Sequence, residues 1–177
     1  MDVEQKIQFS EQTLVLVRRI VSHYPEGKQK SALIPVLHMA QAEFGGWLSV
    51  PVMDHVASLL NILPIEVYEV ATFYTMFNTK PVGNCVIEIC RTGPCWLCGA
   101  EEIISHLENK LKIKAGETTP DGRFTIKLVE CLADCGNAPV IQVGWDYHGN
   151  INKEKADALL ADFEKNNKVS HQNPYEL

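Results

Sequence analysis

The sequence has no run of basic residues, no long apolar stretch and no glycine-rich phosphate loop. Its 16 Lys and Arg are outnumbered by 22 Asp and Glu, giving a net charge of −6. That balance lacks the electrostatic footprint of a nucleic-acid binder, and no nucleic-acid partner is expected. Unbroken apolar runs are only a few residues long, far below the ~18 that mark a membrane span, so no direct membrane insertion is expected. The N-terminal MDVEQKIQFS carries Asp2 and Glu4 and no apolar core. It reads as neither a secretory signal nor an Arg-rich, acid-poor transit peptide. GxGxxG is absent, and with it the strand–turn–helix loop that cradles a dinucleotide. The histidines are scattered without ligand spacing, and there is no repeat or low-complexity segment. A cytoplasmic, reducing compartment is the expectation. Clustered cysteines there read as metal ligands or redox centres rather than structural disulfides.

What is present divides in two. At 177 residues the chain can bury one substantial core or two small ones. After a loose arm over residues 1–9, Ser10 reads as an N-cap, with Phe9 and Leu14 as a hydrophobic staple. Leu14, Val17, Ile20, Val21 and Tyr24 then fall on one helical face. A second helix is expected from about Gln29, with Pro35 in its first turns and Gly45-Gly46 at its end. Ser49 caps a third, with Val52, Val56, Leu59 and Leu60 inward. Pro64 opens a fourth, carrying Val67, Val70, Ala71 and Tyr74. The Met and aromatic residues of this half read as core. Phe73, Tyr74 and Phe77 also form an aromatic run large enough to meet a partner. Residues 1–80 are thus expected to be a helical domain.

After the linker Lys80-Pro81-Val82-Gly83 the period changes from helix to strand. Residues 85–90 alternate and are β-branched. A loop is expected over 91–96, then a helix from about Leu97 whose buried stripe is Ala100, Ile103, Ile104, Leu107 and Leu111. Thr119-Pro120-Asp121-Gly122 is a turn. Strands are expected over 123–130 and 139–144, and Tyr147-His-Gly-Asn turns the chain into a short pairing strand. Asn152 caps a last helix, and 166–177 read as a polar tail. The order β-α-β-β-α is that of a small thioredoxin-like sheet, so residues 81–177 are expected to form a second, α/β domain.

All six cysteines lie between 85 and 135. Cys90-Arg-Thr-Gly-Pro-Cys95 and Cys131-Leu-Ala-Asp-Cys135 are two close pairs at two strand ends, the pattern of four ligands around one metal centre. An all-thiolate set selects zinc or iron–sulfur. Structural zinc favours tighter Cys-x2-Cys knuckles, and the wider spacings with apolar neighbours suit a two-iron, two-sulfide cluster better. Two other readings use Cys98. Cys90, Cys95 and Cys98 have the plant-type ferredoxin spacing, and Cys95-Trp-Leu-Cys98 has that of a thiol–disulfide oxidoreductase. Cys85 and Cys98 otherwise read as buried, inert thiols.

GGWL at 45–48, EVATFYTMF at 69–77, CRTGPCWL at 90–97 and ECLADCGNAP at 130–139 together carry a resemblance. Over nearly its whole length the chain resembles the thioredoxin-like two-iron subunit of proton-translocating NADH:quinone oxidoreductase, respiratory complex I, the mitochondrial flavoprotein-2 type. The resemblance implies an N-terminal helical bundle followed by a thioredoxin-like [2Fe–2S] ferredoxin domain. It places the cluster on Cys90, Cys95, Cys131 and Cys135. It implies an electron-transfer protein that exchanges single electrons with FMN, with FMN and NADH bound by a partner subunit and a large iron–sulfur subunit alongside. No residue of this chain is then catalytic as acid, base or nucleophile. The implied location is the peripheral arm of a membrane-bound complex, at the cytoplasmic face of a bacterial inner membrane. The same type of iron–sulfur component occurs in NAD-linked hydrogenases and formate dehydrogenases, which remain alternative parents.

Overall fold

Serine and proline set where the first helices begin. The computed structural model describes residues 7–166 and 168–175; residues 1–6 of the expected arm and 167, 176 and 177 of the expected tail lie outside the described residues. Ser10 Oγ accepts the Thr13 N–H at 3.3 Å and starts α1, Glu11–Val21. This satisfies one of the N–H groups that a helix start leaves unpaired. Phe9, just before the cap, is buried in the same core against which Leu14 packs.

Gln29–Ala32 forms a 3-10 turn, and α2 begins only at Leu33, running Leu33–Glu43. That later start suits Pro35, which then sits in the first turn, where a missing N–H breaks no hydrogen bond. Gly45 and Gly46 follow at φ +78° and +85°, the left-handed region expected of them. Ser49 Oγ accepts the Val52 N–H and starts α3, Val50–Leu60. Leu59, expected inward, lies on the exposed side; Met53 and Ala57 are buried instead. In α4, Pro64–Phe73, Val67 and Ala71 face the core. The helix ends there because Tyr74 takes an extended backbone. The three rings consequently part company: Phe77 is 5% exposed and Phe73 75%.

The described residues form two compact units, 7–81 with 173–175, and 82–172. Tyr175 packs on the core of the helical unit, and its carbonyl accepts from Arg19 Nη2 at 3.3 Å. The second unit is a four-stranded sheet of order β2-β1-β3-β4. Its strands are β1 Cys85–Cys90, β2 Phe124–Val129, β3 Ile141–Val143 and β4 Asp146–His148. β1 is buried along nearly its whole length, as a central strand requires. It pairs parallel with β2 and antiparallel with β3.

A parallel pair needs a crossover, supplied by α5, Gly93–Leu97, and α6, Ala100–Leu111. The last helix, α7 Lys153–Asn166, starts where Asn152 Oδ1 accepts the Lys155 N–H at 2.8 Å. Ile87, Ile89, Leu107, Ile126 and Leu160 are among the core residues. The register sets Cys90 beside Val129. Both parallel strands therefore end at one edge of the sheet, and both cysteine pairs leave from it.

Three local features differ from the pattern-based expectation. Part of the expected loop at 91–96 is helix α5, because Pro94 is preset for a first turn and the Thr92 carbonyl accepts the Trp96 N–H at 2.9 Å. The hairpin turns at Gly144-Trp145, so Tyr147 and His148 lie inside β4. The expected tail is partly built in. Ser170 is buried, its N–H bonds the Asn84 carbonyl at 2.8 Å, and its Oγ accepts the Val86 N–H at 2.9 Å.

Ile126, fully buried on β2, should be among the costliest residues to truncate. Ile126→Ala is expected to lose about 2–5 kcal/mol in a urea titration, against less than about 0.5 kcal/mol for Val15→Ala on the exposed face of α1. Equal losses would contradict this placement of the core.

Candidate metal centre

Cys90 is the last residue of β1 and is 3% exposed; Cys95 lies in α5 and is 2% exposed. Cys90 Sγ lies 3.4 Å from Thr92 Oγ1 and 3.5 Å from the Glu130 carbonyl oxygen, and the two thiols are close enough to act on each other's ionisation. Ala100 and Val140 complete a small buried cluster with them, and Leu132 and Ala138 pack against it. Cys131 follows β2 and Cys135 begins the 3-10 turn Cys135–Asn137; both are exposed. The Cys131–Cys135 loop folds back over the buried pair. The Leu132 N–H is directed at Cys90, and Cys135 lies close enough to act electrostatically on Cys95. Cys131 Sγ accepts the Ala133 N–H at 3.4 Å.

Burial and hydrogen bonding compete at these sulfurs. At Cys90 burial favours the neutral thiol. It is outweighed by hydrogen bonds from the Thr92 hydroxyl and N–H, the Leu132 N–H and the Cys95 thiol, which hold Cys90 below the ordinary thiol range. At Cys95 burial and the bond to Cys90 prevail over the Val140 N–H and push it up to about 11. Of this buried pair, Cys90 is therefore the one poised as thiolate, and once it is charged Cys95 is harder to ionise. A cation shared by both would release that opposition.

The remaining cysteines separate clearly. Cys85, at the other end of β1, is buried and pushed up to about 12 by that burial, an inert thiol. Cys98, expected buried, is exposed. It faces a cleft of about 290 Å³ that includes Glu102, Lys153 and Glu154, whereas Cys95 of the same CxxC turns inward to Cys90.

Among the described residues, no three His, Cys, Asp or Glu side chains converge as they would on a single metal ion. A two-iron cluster would be held by four thiolates shared between two irons rather than by one set on a single ion. The donor chemistry fits such a cluster: four thiols at one sheet edge, two in a dry apolar setting, with backbone N–H groups directed at three of the sulfurs. The N–H donors at Leu132, Ala133 and Val140 were not legible in the sequence, since any residue type supplies them. Ala133 carries a further feature: its φ is +59°, a region that costs a residue with a Cβ.

Residues 17–164 match the thioredoxin-like [2Fe–2S] ferredoxin family. The chain is 44% identical over 155 residues to the NADH-quinone oxidoreductase E subunit of Rickettsia felis, covering 88% of this chain and 93% of that one. It is 43% identical over 166 residues to the mitochondrial NADH dehydrogenase (ubiquinone) flavoprotein 2 of Dictyostelium discoideum, covering 94% of this chain and 67% of that one. Among solved structures it shares its fold with the NAD+-reducing [NiFe]-hydrogenase in the air-oxidised state. There the TM-score is 0.64 and the identity 21%, over 76% of this chain and 23% of that one.

The left-handed Ala133 generates a test. Ala133→Gly removes the Cβ clash and is expected to stabilise the loop by up to about 1 kcal/mol, while Ala133→Val loses about that much or more. Denaturant unfolding of both variants checks the order. A destabilising Ala133→Gly would contradict the strained backbone.

Proposed function

The chain belongs to the thioredoxin-like [2Fe–2S] ferredoxin family and is an iron–sulfur subunit of the NADH:quinone oxidoreductase type; from that premise we propose that Cys90, Cys95, Cys131 and Cys135 hold its cluster and that it exchanges single electrons with the FMN of an NADH-binding partner. The observation that carries the ligand set is the parallel β1–β2 pair, which ends beside both cysteine pairs, with the Leu132 N–H folded onto Cys90. When bound, the cluster supplies one-electron capacity, whereas NADH gives up two electrons together as hydride. The flavin that converts one into the other belongs on the partner, because this sequence carries no GxGxxG loop.

The chain's own residues do three things in this reading. Cys90 and Cys95, with Ala100 and Val140, keep water from one side of the site. The N–H groups of Thr92, Leu132, Ala133 and Val140 stabilise negative charge on sulfur, which favours the reduced state. Trp96 and Leu97, directly after Cys95, are 58% and 77% exposed and offer apolar ground where a redox partner must approach. On the helical unit Leu63, Ile65 and Phe73 are also exposed. They suit contact with the rest of the enzyme, the large iron–sulfur subunit included.

No helix among the described residues is long and apolar enough to cross a membrane. The proposed place is the peripheral arm, at the cytoplasmic face of a bacterial inner membrane. An NAD-linked hydrogenase or formate dehydrogenase is the alternative parent. The 44% and 43% identities to NADH dehydrogenase subunits favour the respiratory enzyme, since the likeness to the hydrogenase at 21% reports fold alone.

Serine substitutions test the ligands. Cys90→Ser, Cys95→Ser, Cys131→Ser and Cys135→Ser should each lose or alter the reduced-state EPR signal, and Cys98→Ser should leave it unchanged. Unaltered cluster content in Cys131→Ser or Cys135→Ser, with loss in Cys98→Ser, would overturn the assignment.

The partner assignment has its own test. The purified chain alone is expected neither to bind NADH stoichiometrically nor to oxidise it, and activity should appear when the flavin-binding subunit is added. NADH binding by the chain alone defeats that assignment.

A further inference from the structure

The turn that begins at Cys135 is fastened by the segment that follows β4, where the β3–β4 pairing continues past the strand ends. The Asn137 carbonyl accepts the Asn150 N–H at 2.5 Å, and its Oδ1 accepts from Asn150 Nδ2 at 3.3 Å. Asn137 Nδ2 reaches back to Asp134 Oδ1 at 2.7 Å, and its N–H to the Asp134 carbonyl at 3.1 Å. Two residues further, the Pro139 carbonyl accepts the Ile151 N–H at 3.1 Å. Ile151 is buried in the sheet core, and Lys155 Nζ caps the Asn150 carbonyl at 2.9 Å, so the fastening is tied to both core and helix α7.

Between the two asparagines there is no spare room. A Cβ added at Gly149 would lie 2.5 Å from Asn137 Cβ and 3.0 Å from the Asn137 carbonyl oxygen. Cβ is fixed to the backbone, so the clash cannot be relieved by turning a side chain. Either the Cys135–Asn137 turn or the Gly149 segment would have to move, and their mutual hydrogen bonds would be strained in both cases. Asn150 completes the brace at φ +50°, a conformation asparagine tolerates better than most residues.

We infer that Gly149, Asn150 and Asn137 are positioning residues for the cluster: the Gly149-Asn150 corner sets where Cys135 stands and thereby tunes the electronic environment of the iron it holds. This rests on the proposed ligand role of Cys135. Partners outside the coordination sphere orient ligands, and their loss typically weakens a metal site by about 10–100-fold. The brace joins the turn after the second cysteine loop to the segment between β4 and α7 with side chains from both sides. Neither asparagine is bonded to a sulfur, so their effect must pass through the backbone of the turn.

The test uses the cluster-loaded chain in three variants. Gly149→Ala pushes the turn, Asn137→Ala removes its side-chain ties without adding an atom, and Gly83→Ala serves as a control. A Cβ at Gly83 would meet the Arg123 carbonyl carbon at 2.8 Å, a comparable clash ahead of β1, about 20 Å of strand away from Cys90. Gly149→Ala and Asn137→Ala are expected to shift the EPR g-values and the midpoint potential, and to release iron to a chelator roughly tenfold faster or more. Gly83→Ala should lower thermal stability with the spectrum and potential unchanged.

Wild-type g-values and potential in Asn137→Ala and in any loaded Gly149→Ala would overturn the inference, as would an equal shift in Gly83→Ala. If Gly149→Ala does not load, Asn137→Ala decides. Cys135→Ser is measured alongside. An unaltered cluster there defeats the ligand assignment, whereas an altered one beside an unshifted Asn137→Ala defeats only the brace.

Discussion

Negative charge on buried sulfur is the constraint on which the metal-bearing unit depends. Cys90 and Cys95 are almost fully removed from water and lie against each other. An isolated thiolate there would be costly, and two adjacent ones more so. The structure meets the cost at Cys90 with donors from three directions: Thr92 from its own strand end, Cys95 from α5, and Leu132 from the second cysteine loop. Cys95 receives the Val140 N–H, and α6, whose first residue Ala100 belongs to the same buried cluster, turns its positive end toward the site. On the proposed ligand set, a metal centre would complete the neutralisation that these partial charges begin.

The sheet topology brings thiols from distant parts of the chain to one edge. Cys90 and Cys131 are far apart in sequence, yet a parallel pair registered as Cys90 with Val129 ends both strands at one edge. An antiparallel pair would have sent them to opposite ends. The crossover that parallel pairing demands is also used at the site, since α5 carries Cys95 and α6 begins beside it. The helical unit contributes no cysteine, and it leaves Leu63, Ile65 and Phe73 exposed.

Much of this was legible in the sequence wherever the signal was local. Ser10, Ser49 and Asn152 are caps whose side chains reach an N–H three residues on, so their neighbours suffice to read them. The change of period after Gly83 announced the sheet. Features that depend on distance were not legible. Periodicity assigns a face to Tyr74 and Phe77 but cannot say that the helix stops at Phe73 and turns one ring out and another in. Cys85 and Cys98 looked alike as spare thiols, and only the fold distinguishes a strand interior from an open cleft. Ser170, placed in a polar tail, is held by the backbone of residues 84 and 86, partners more than 80 positions away. The approach of Gly149 to Asn137 is invisible for the same reason.

Iron K-edge X-ray absorption on the purified, cluster-loaded chain bears most directly on an all-thiolate [2Fe–2S] centre at this sheet edge. The proposed ligand set predicts only sulfur bonded to iron, a second iron as the next neighbour beyond the sulfurs, and iron and acid-labile sulfide in equal amounts. A nitrogen or oxygen ligand, an isolated iron, or zinc in its place would contradict it.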